Sequence, residues 1–79
     1  MRVEIKFEYR EQARKFAAFI NANRGDDKEY NYFGLGELAT IDWALGTSEQ
    51  TYVYIDRNRV KDFGRLAQDV AMFGGQILR

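Results

Sequence analysis

The chain opens on alternation. Along Arg2–Tyr9, Val3, Ile5, Phe7 and Tyr9 alternate with Arg2, Glu4, Lys6 and Glu8. Successive side chains of a strand point to opposite faces, so the stretch predicts a β-strand with one apolar and one charged face. The period then lengthens. In Arg10–Asn23, Ala13, Phe16, Ala17 and Ile20 fall at i, i+3, i+4 and i+7, the spacing of one helical face. Phe19 flanks that stripe, and Gly25 suits the left-handed position that ends a helix.

Asp26–Gly36 has neither period. Two glycines and a charged cluster argue for loop, whereas Tyr30, Tyr32 and Phe33 argue that part of it is anchored. In Glu37–Leu45, Ala39, Ile41, Trp43 and Leu45 form one wholly apolar alternating set, which favours a strand. A helix there would align Leu38, Ile41 and Leu45 before Gly46, and would make Tyr30–Leu35 the second strand instead. Gly46–Gln50 reads as a hairpin connection, and Thr51–Asp56 as a strand with Val53 and Ile55 on one face and Tyr52 and Tyr54 on the other. A second helix is expected from an Asn58 N-cap to about Phe73, with Val60, Phe63, Ala67 and Val70 inward and Leu66 and Phe73 widening the stripe. Gly74-Gly75 ends it, and Gln76–Leu78 reads as a short last strand.

The order is strand, helix, strand, strand, helix, strand. Two helices on one face of an antiparallel sheet bury both helical stripes and the apolar face of the sheet together. The expectation is therefore an α+β domain of ferredoxin-like β-α-β-β-α-β arrangement, a single domain over residues 1–79.

Composition narrows the chemistry. There is no cysteine and no histidine, so the thiol nucleophile, the usual general base and the commonest transition-metal ligands are missing. Ser48 is the one serine and falls in a predicted turn with no visible activating base. Asp26, Asp27 and Glu29 lack the ligand spacing of a calcium loop, and Gly34-Leu35-Gly36 lacks the third glycine of a phosphate-binding loop. No enzyme activity, metal or cofactor is expected. No apolar run approaches the roughly 20 residues of a membrane helix, and the charged N-terminal strand does not read as a leader, so a cytoplasmic protein is the expectation.

Charge points to a partner. Twelve basic and twelve acidic residues cancel, which lacks the broad positive field of a general nucleic-acid binder. The cancellation is uneven: residues 24–49 hold Asp26, Asp27, Glu29, Glu37, Asp42 and Glu49 against Arg24 and Lys28. The same third carries Tyr30, Tyr32, Phe33 and Trp43. Acids with exposed aromatics suit docking onto a basic protein surface, with charge giving orientation and rings giving contact area. Asp26, Asp27, Glu29, Tyr30, Tyr32 and Glu37 are the expected partner-binding residues. A nucleic-acid-handling protein is the expected partner class, because such proteins carry basic channels. Arg57 and Arg59 stand at the start of the expected second helix, where a cation opposes the dipole.

In size and build the chain resembles small phage-encoded inhibitors, anti-CRISPR proteins among them. That resemblance implies an inhibitor that blocks a nucleic-acid site. Separately, Q-T-Y-V-Y-I-D over Gln50–Asp56 resembles the aromatic-x-aromatic core of the third strand of RNA-recognition-motif domains. It implies a second surface on the open sheet face, where Tyr52 and Tyr54 stack bases while Arg2 and Lys6 touch phosphates. That family's preceding basic-glycine pair is absent, and Glu4 and Glu8 share the face. Pairing of a sheet face or edge with its own copy, giving a homodimer, is a further reading.

Overall fold

The computed structural model describes residues 2–26, 29–42 and 49–78. The elements run β1 (Arg2–Lys6), α1 (Arg10–Ala22), β2 (Arg24–Gly25), β3 (Tyr32–Phe33), β4 (Ala39–Asp42), β5 (Tyr52–Asp56), a short 3-10 helix (Arg57–Arg59), α2 (Phe63–Met72) and β6 (Gln76–Ile77). The result is a small α+β fold with a four-stranded antiparallel sheet in the order β4-β5-β1-β6. A separate parallel pairing joins β2 to β3, two short strands that the sequence pattern did not separate from loop.

The alternation of β1 holds as far as Phe7. Val3, Ile5 and Phe7 are buried, whereas Tyr9 is 62% exposed because it has left the strand and caps α1. Its backbone N–H donates to Gln12 Oε1 at 2.9 Å, half of a capping box. The α1 stripe of Ala13, Phe16, Ala17 and Ile20 is buried as its spacing requires. Opposite it on the sheet lie Val3 and Ile5 of β1, which face Ile55 and Val53 of β5 in register. Phe7 and Phe16 ring centroids stand 5.2 Å apart, and Phe73 closes on Phe16 at 5.7 Å and on Phe19 at 5.2 Å. Full burial of the Phe7 and Phe16 rings contributes roughly 1.5–3 kcal/mol of transfer free energy each, and the half-buried Phe19 and Phe73 less.

The first helix ends where expected, but the role of Gly25, the start of the second helix and its inward face differ from the sequence expectation. Gly25 does not end α1 in a left-handed conformation; Asn23 ends the helix, and Gly25 is buried in β2 beneath the Tyr30 ring. The second helix begins at Phe63, not near Asn58, because Asp62 takes the cap: its Oδ1 accepts from the N–H groups of Gly64 at 2.9 Å and Arg65 at 3.3 Å. Val60 bridges to Tyr32 instead of joining the helical stripe, and Ala67 is exposed while Leu66, Asp69 and Val70 turn inward. The strand reading of Glu37–Leu45 holds for Ala39–Asp42, antiparallel to β5. Trp43, Leu45, Ser48 and most of the hairpin connection lie outside the described residues. After α2, Gly74 takes φ 78° and β6 pairs with β1, matching Ile77 to Ile5.

Candidate functional site

The described part of the acidic third, residues 24–26 and 29–42, is held by specific contacts. Arg24 and Gly25 pair with Tyr32 and Phe33, and the Gly34 N–H donates to the Gly25 carbonyl at 3.2 Å. Two arginines then hold the backbone that follows. Arg59 donates from Nε to the Phe33 carbonyl at 2.5 Å, from Nη2 to Gly36 at 2.8 Å and from Nη1 to Glu37 at 3.1 Å. Arg24 donates from Nε to the Leu35 carbonyl at 3.1 Å and from Nη1 to the Asn21 carbonyl. A guanidinium presents several donors in a fixed fork, so one side chain can satisfy acceptors that a loop would otherwise leave to water. Arg59 thus has a structural task that a misplaced cation at a helix start does not describe, and Arg57 lies over the Phe63 ring, 4.9 Å from its centroid.

Further bonds fix the segment to α2 and the turn before it. Asn31 accepts from the Asp62 N–H at 2.7 Å and donates to the Asp62 carbonyl at 3.2 Å, and the Lys61 N–H donates to the Asn31 carbonyl at 2.8 Å. The Tyr32 phenol donates to Asp69 Oδ2 at 2.5 Å, a buried contact between β3 and α2. Burial first, and the hydrogen bond to Asp69 second, raise the Tyr32 phenol well above its ordinary range.

The expected contact residues separate on this frame. Asp26, Glu29 and Glu37 are exposed, and Tyr30 is 41% exposed with its ring laid on Gly25. A Cβ on Gly25 would lie 2.7 Å from that ring, so the close approach requires glycine. Tyr32 is corrected: at 2% exposure its ring belongs to the core and its hydroxyl to Asp69, so its side chain presents nothing to a partner. Asp27 lies outside the described residues. Leu35 was missed. It is 67% exposed, between two glycines on a backbone held from both sides by Arg24 and Arg59. The signal was present as a lone leucine in a glycine pair, but the same letters read as a flexible turn.

The open face of the sheet carries the second set. Tyr52 and Tyr54 are half-buried with ring centroids 6.5 Å apart, and they sit beside Lys6 and Glu4 in the β1–β5 register and beside Asp42 and Thr40 in the β4–β5 register. The Arg2 guanidinium lies over the Tyr54 ring, 4.1 Å from its centroid. That ring face is therefore already occupied, and Glu4 and Asp42 bring negative charge to its flanks. Burial, then the Glu4 and Asp42 carboxylates, raise the Tyr54 phenol above its ordinary value. Such a face is poorly suited to stacking a nucleotide.

No group of three or more acidic residues, histidines or cysteines among the described residues is arranged to hold a metal. No helix among them is long and apolar enough to cross a membrane. The chain matches no protein-family model, and no curated protein or solved structure shows significant similarity to it.

Proposed function

We propose that this protein works by binding and not by catalysis, docking the unit built on β2 and β3 onto a protein with a basic surface. The observation that carries the reading is Leu35, 67% exposed on a segment whose carbonyls are held by two arginines. A segment already fixed loses little conformational entropy on association, and an apolar side chain held in water gains by burial there. Tyr30 adds ring area, while Asp26, Glu29 and Glu37 favour a basic counterpart. The basic channel of a nucleic-acid-handling protein is a surface of that kind. Blocking such a channel is the activity of a phage-type, anti-CRISPR-like inhibitor, and a cytoplasmic setting goes with it.

The finer topology belongs to the same proposal. With β2 and β3 set aside, the elements run β1-α1-β4-β5-α2-β6, and the two central strands are those that precede the helices. This supports a ferredoxin-like arrangement with an inserted binding unit after α1.

Affinity capture with the tagged full chain in its native host tests the function. Leu35→Asp and the pair Asp26→Lys with Glu29→Lys should each abolish capture of the same basic protein at unchanged melting temperature. Capture that survives both variants overturns the reading.

A further inference from the structure

We infer a second binding site of opposite charge: the groove between the outer face of α1 and the edge of β4 takes an extended, acidic protein segment that adds to the sheet beside β4. The groove is open to solvent, with a volume of about 1060 Å³; its charged lining is Arg10, Arg14 and Lys15 against Glu11 and Glu37, a positive balance, and Thr40 and Ile41 of β4 form the facing wall. Arg10 and Arg14 stand one turn apart, and neither forms an ion pair among the described residues. Like charges at that spacing repel, and Arg10 sits in the first turn, where the dipole disfavours a cation. The pair is thus mildly unfavourable to the helix and leaves two cations on the groove wall for an incoming segment.

The strand edge specifies the occupant. β4 is outermost in the sheet. Asn21 takes both outward groups of Ala39, donating to its carbonyl at 3.0 Å and accepting from its N–H at 3.0 Å. Outward-facing residues alternate in an antiparallel ladder, so Ile41 is the next to turn its N–H and carbonyl to the groove. A peptide strand meets both a donor and an acceptor. A phosphate chain offers acceptors alone and cannot donate to the Ile41 carbonyl. The spacing also agrees: four helical residues rise about 6 Å, close to the roughly 6.6 Å between alternate side chains of a strand. Alternate acidic side chains of an added strand thus meet Arg14 and Arg10 in turn. This inference does not rest on the proposed docking of the β2–β3 unit, although Glu37 borders both surfaces.

A capped octapeptide of alternating valine and glutamate, titrated into the 15N-labelled full chain, tests it. The expected result is shifts at Thr40, Ile41 and the Arg10–Arg14 turn, slowed exchange of the Ile41 N–H, and affinity that falls with salt. The double variant R10E/R14E, exposed at both positions, should weaken binding by about tenfold or more. Undiminished binding by that variant overturns the inference. So do unchanged exchange at Ile41, equal shifts from oligothymidine, shifts centred on Leu35 instead, or light scattering that shows the edge already taken by a second copy.

Discussion

Replacing Tyr32 by Phe removes one oxygen and leaves the volume of the ring in place. The magnitude follows from the site. Tyr32 is 2% and Asp69 5% exposed, and the phenol donates to Oδ2 at 2.5 Å. A hydrogen bond to a charged group contributes about 1.5–3 kcal/mol, and a buried acceptor left without its donor costs about 1–3 kcal/mol. Arg65 does not rescue it: its Nε is 3.6 Å from the other oxygen, Oδ1, and its side chain is largely in water. Tyr32→Phe should therefore lower stability by about 3 kcal/mol, which for a domain of this size lowers the melting temperature by roughly 15 °C. Urea titration followed by circular dichroism measures the loss, with the slope unchanged. In an Asp69→Asn background the acceptor stays but its charge is gone, and the same substitution should cost only about 1 kcal/mol. A loss under about 0.5 kcal/mol in the parent, or equal losses in both backgrounds, refutes the charge-assisted bond. The pair also sets an alkaline limit. The folded phenol holds its proton above its ordinary value of 10.0. Below that pH both states are protonated and the contribution is whole. Above it the unfolded state ionises first, so stability falls by about 1.4 kcal/mol per pH unit for this group until the folded phenol also ionises. Tyr32→Phe should remove that part of the slope.

Two further substitutions test the frame around the candidate site. Arg59→Ala releases the carbonyls of Phe33, Gly36 and Glu37, and should cost about 1–2 kcal/mol while speeding amide exchange across residues 33–37; unchanged exchange there contradicts the clamp, and Arg59→Lys should fail to restore it because an ammonium lacks the fork. Gly75→Ala places a Cβ 2.5 Å from a ring carbon of the buried Phe7, and should lower stability by about 1–3 kcal/mol; a melting temperature equal to the parent's means that the ring or β6 yields freely.

What the sequence revealed tracks how local each cause is. The alternation of Val3, Ile5 and Phe7 and the α1 stripe are local patterns that the core then buries. Tyr52 and Tyr54 fall on the open face for the same reason. The start of α2 was missed because Val60 has the right spacing but a different engagement, a bridge to Tyr32. Asp69 was invisible in an apolar count, since a carboxylate joins a buried stripe only when a distant group satisfies it, here a phenol 37 residues away. The site was half legible. Charge marked Asp26, Glu29 and Glu37, but whether Tyr30 or Tyr32 faces solvent depends on the β2–β3 pairing and the bond to α2, which neighbouring letters do not encode. The role of Arg59 is of the same kind: its acceptors lie 22–26 residues earlier in the chain.

The anchoring of the β2–β3 unit has a practical corollary. Its ties run to the end of α1 through Arg24, to the 3-10 turn through Arg59, to the entrance of α2 through Asn31 and to the middle of α2 through Tyr32. Such a region cannot melt by itself while the framework stands, so a molecule gripping it stabilises the entire fold against heat. A simple thermal-shift screen, needing no knowledge of the physiological target, then reports such binding, and loss of the shift in Leu35→Asp assigns it to this region.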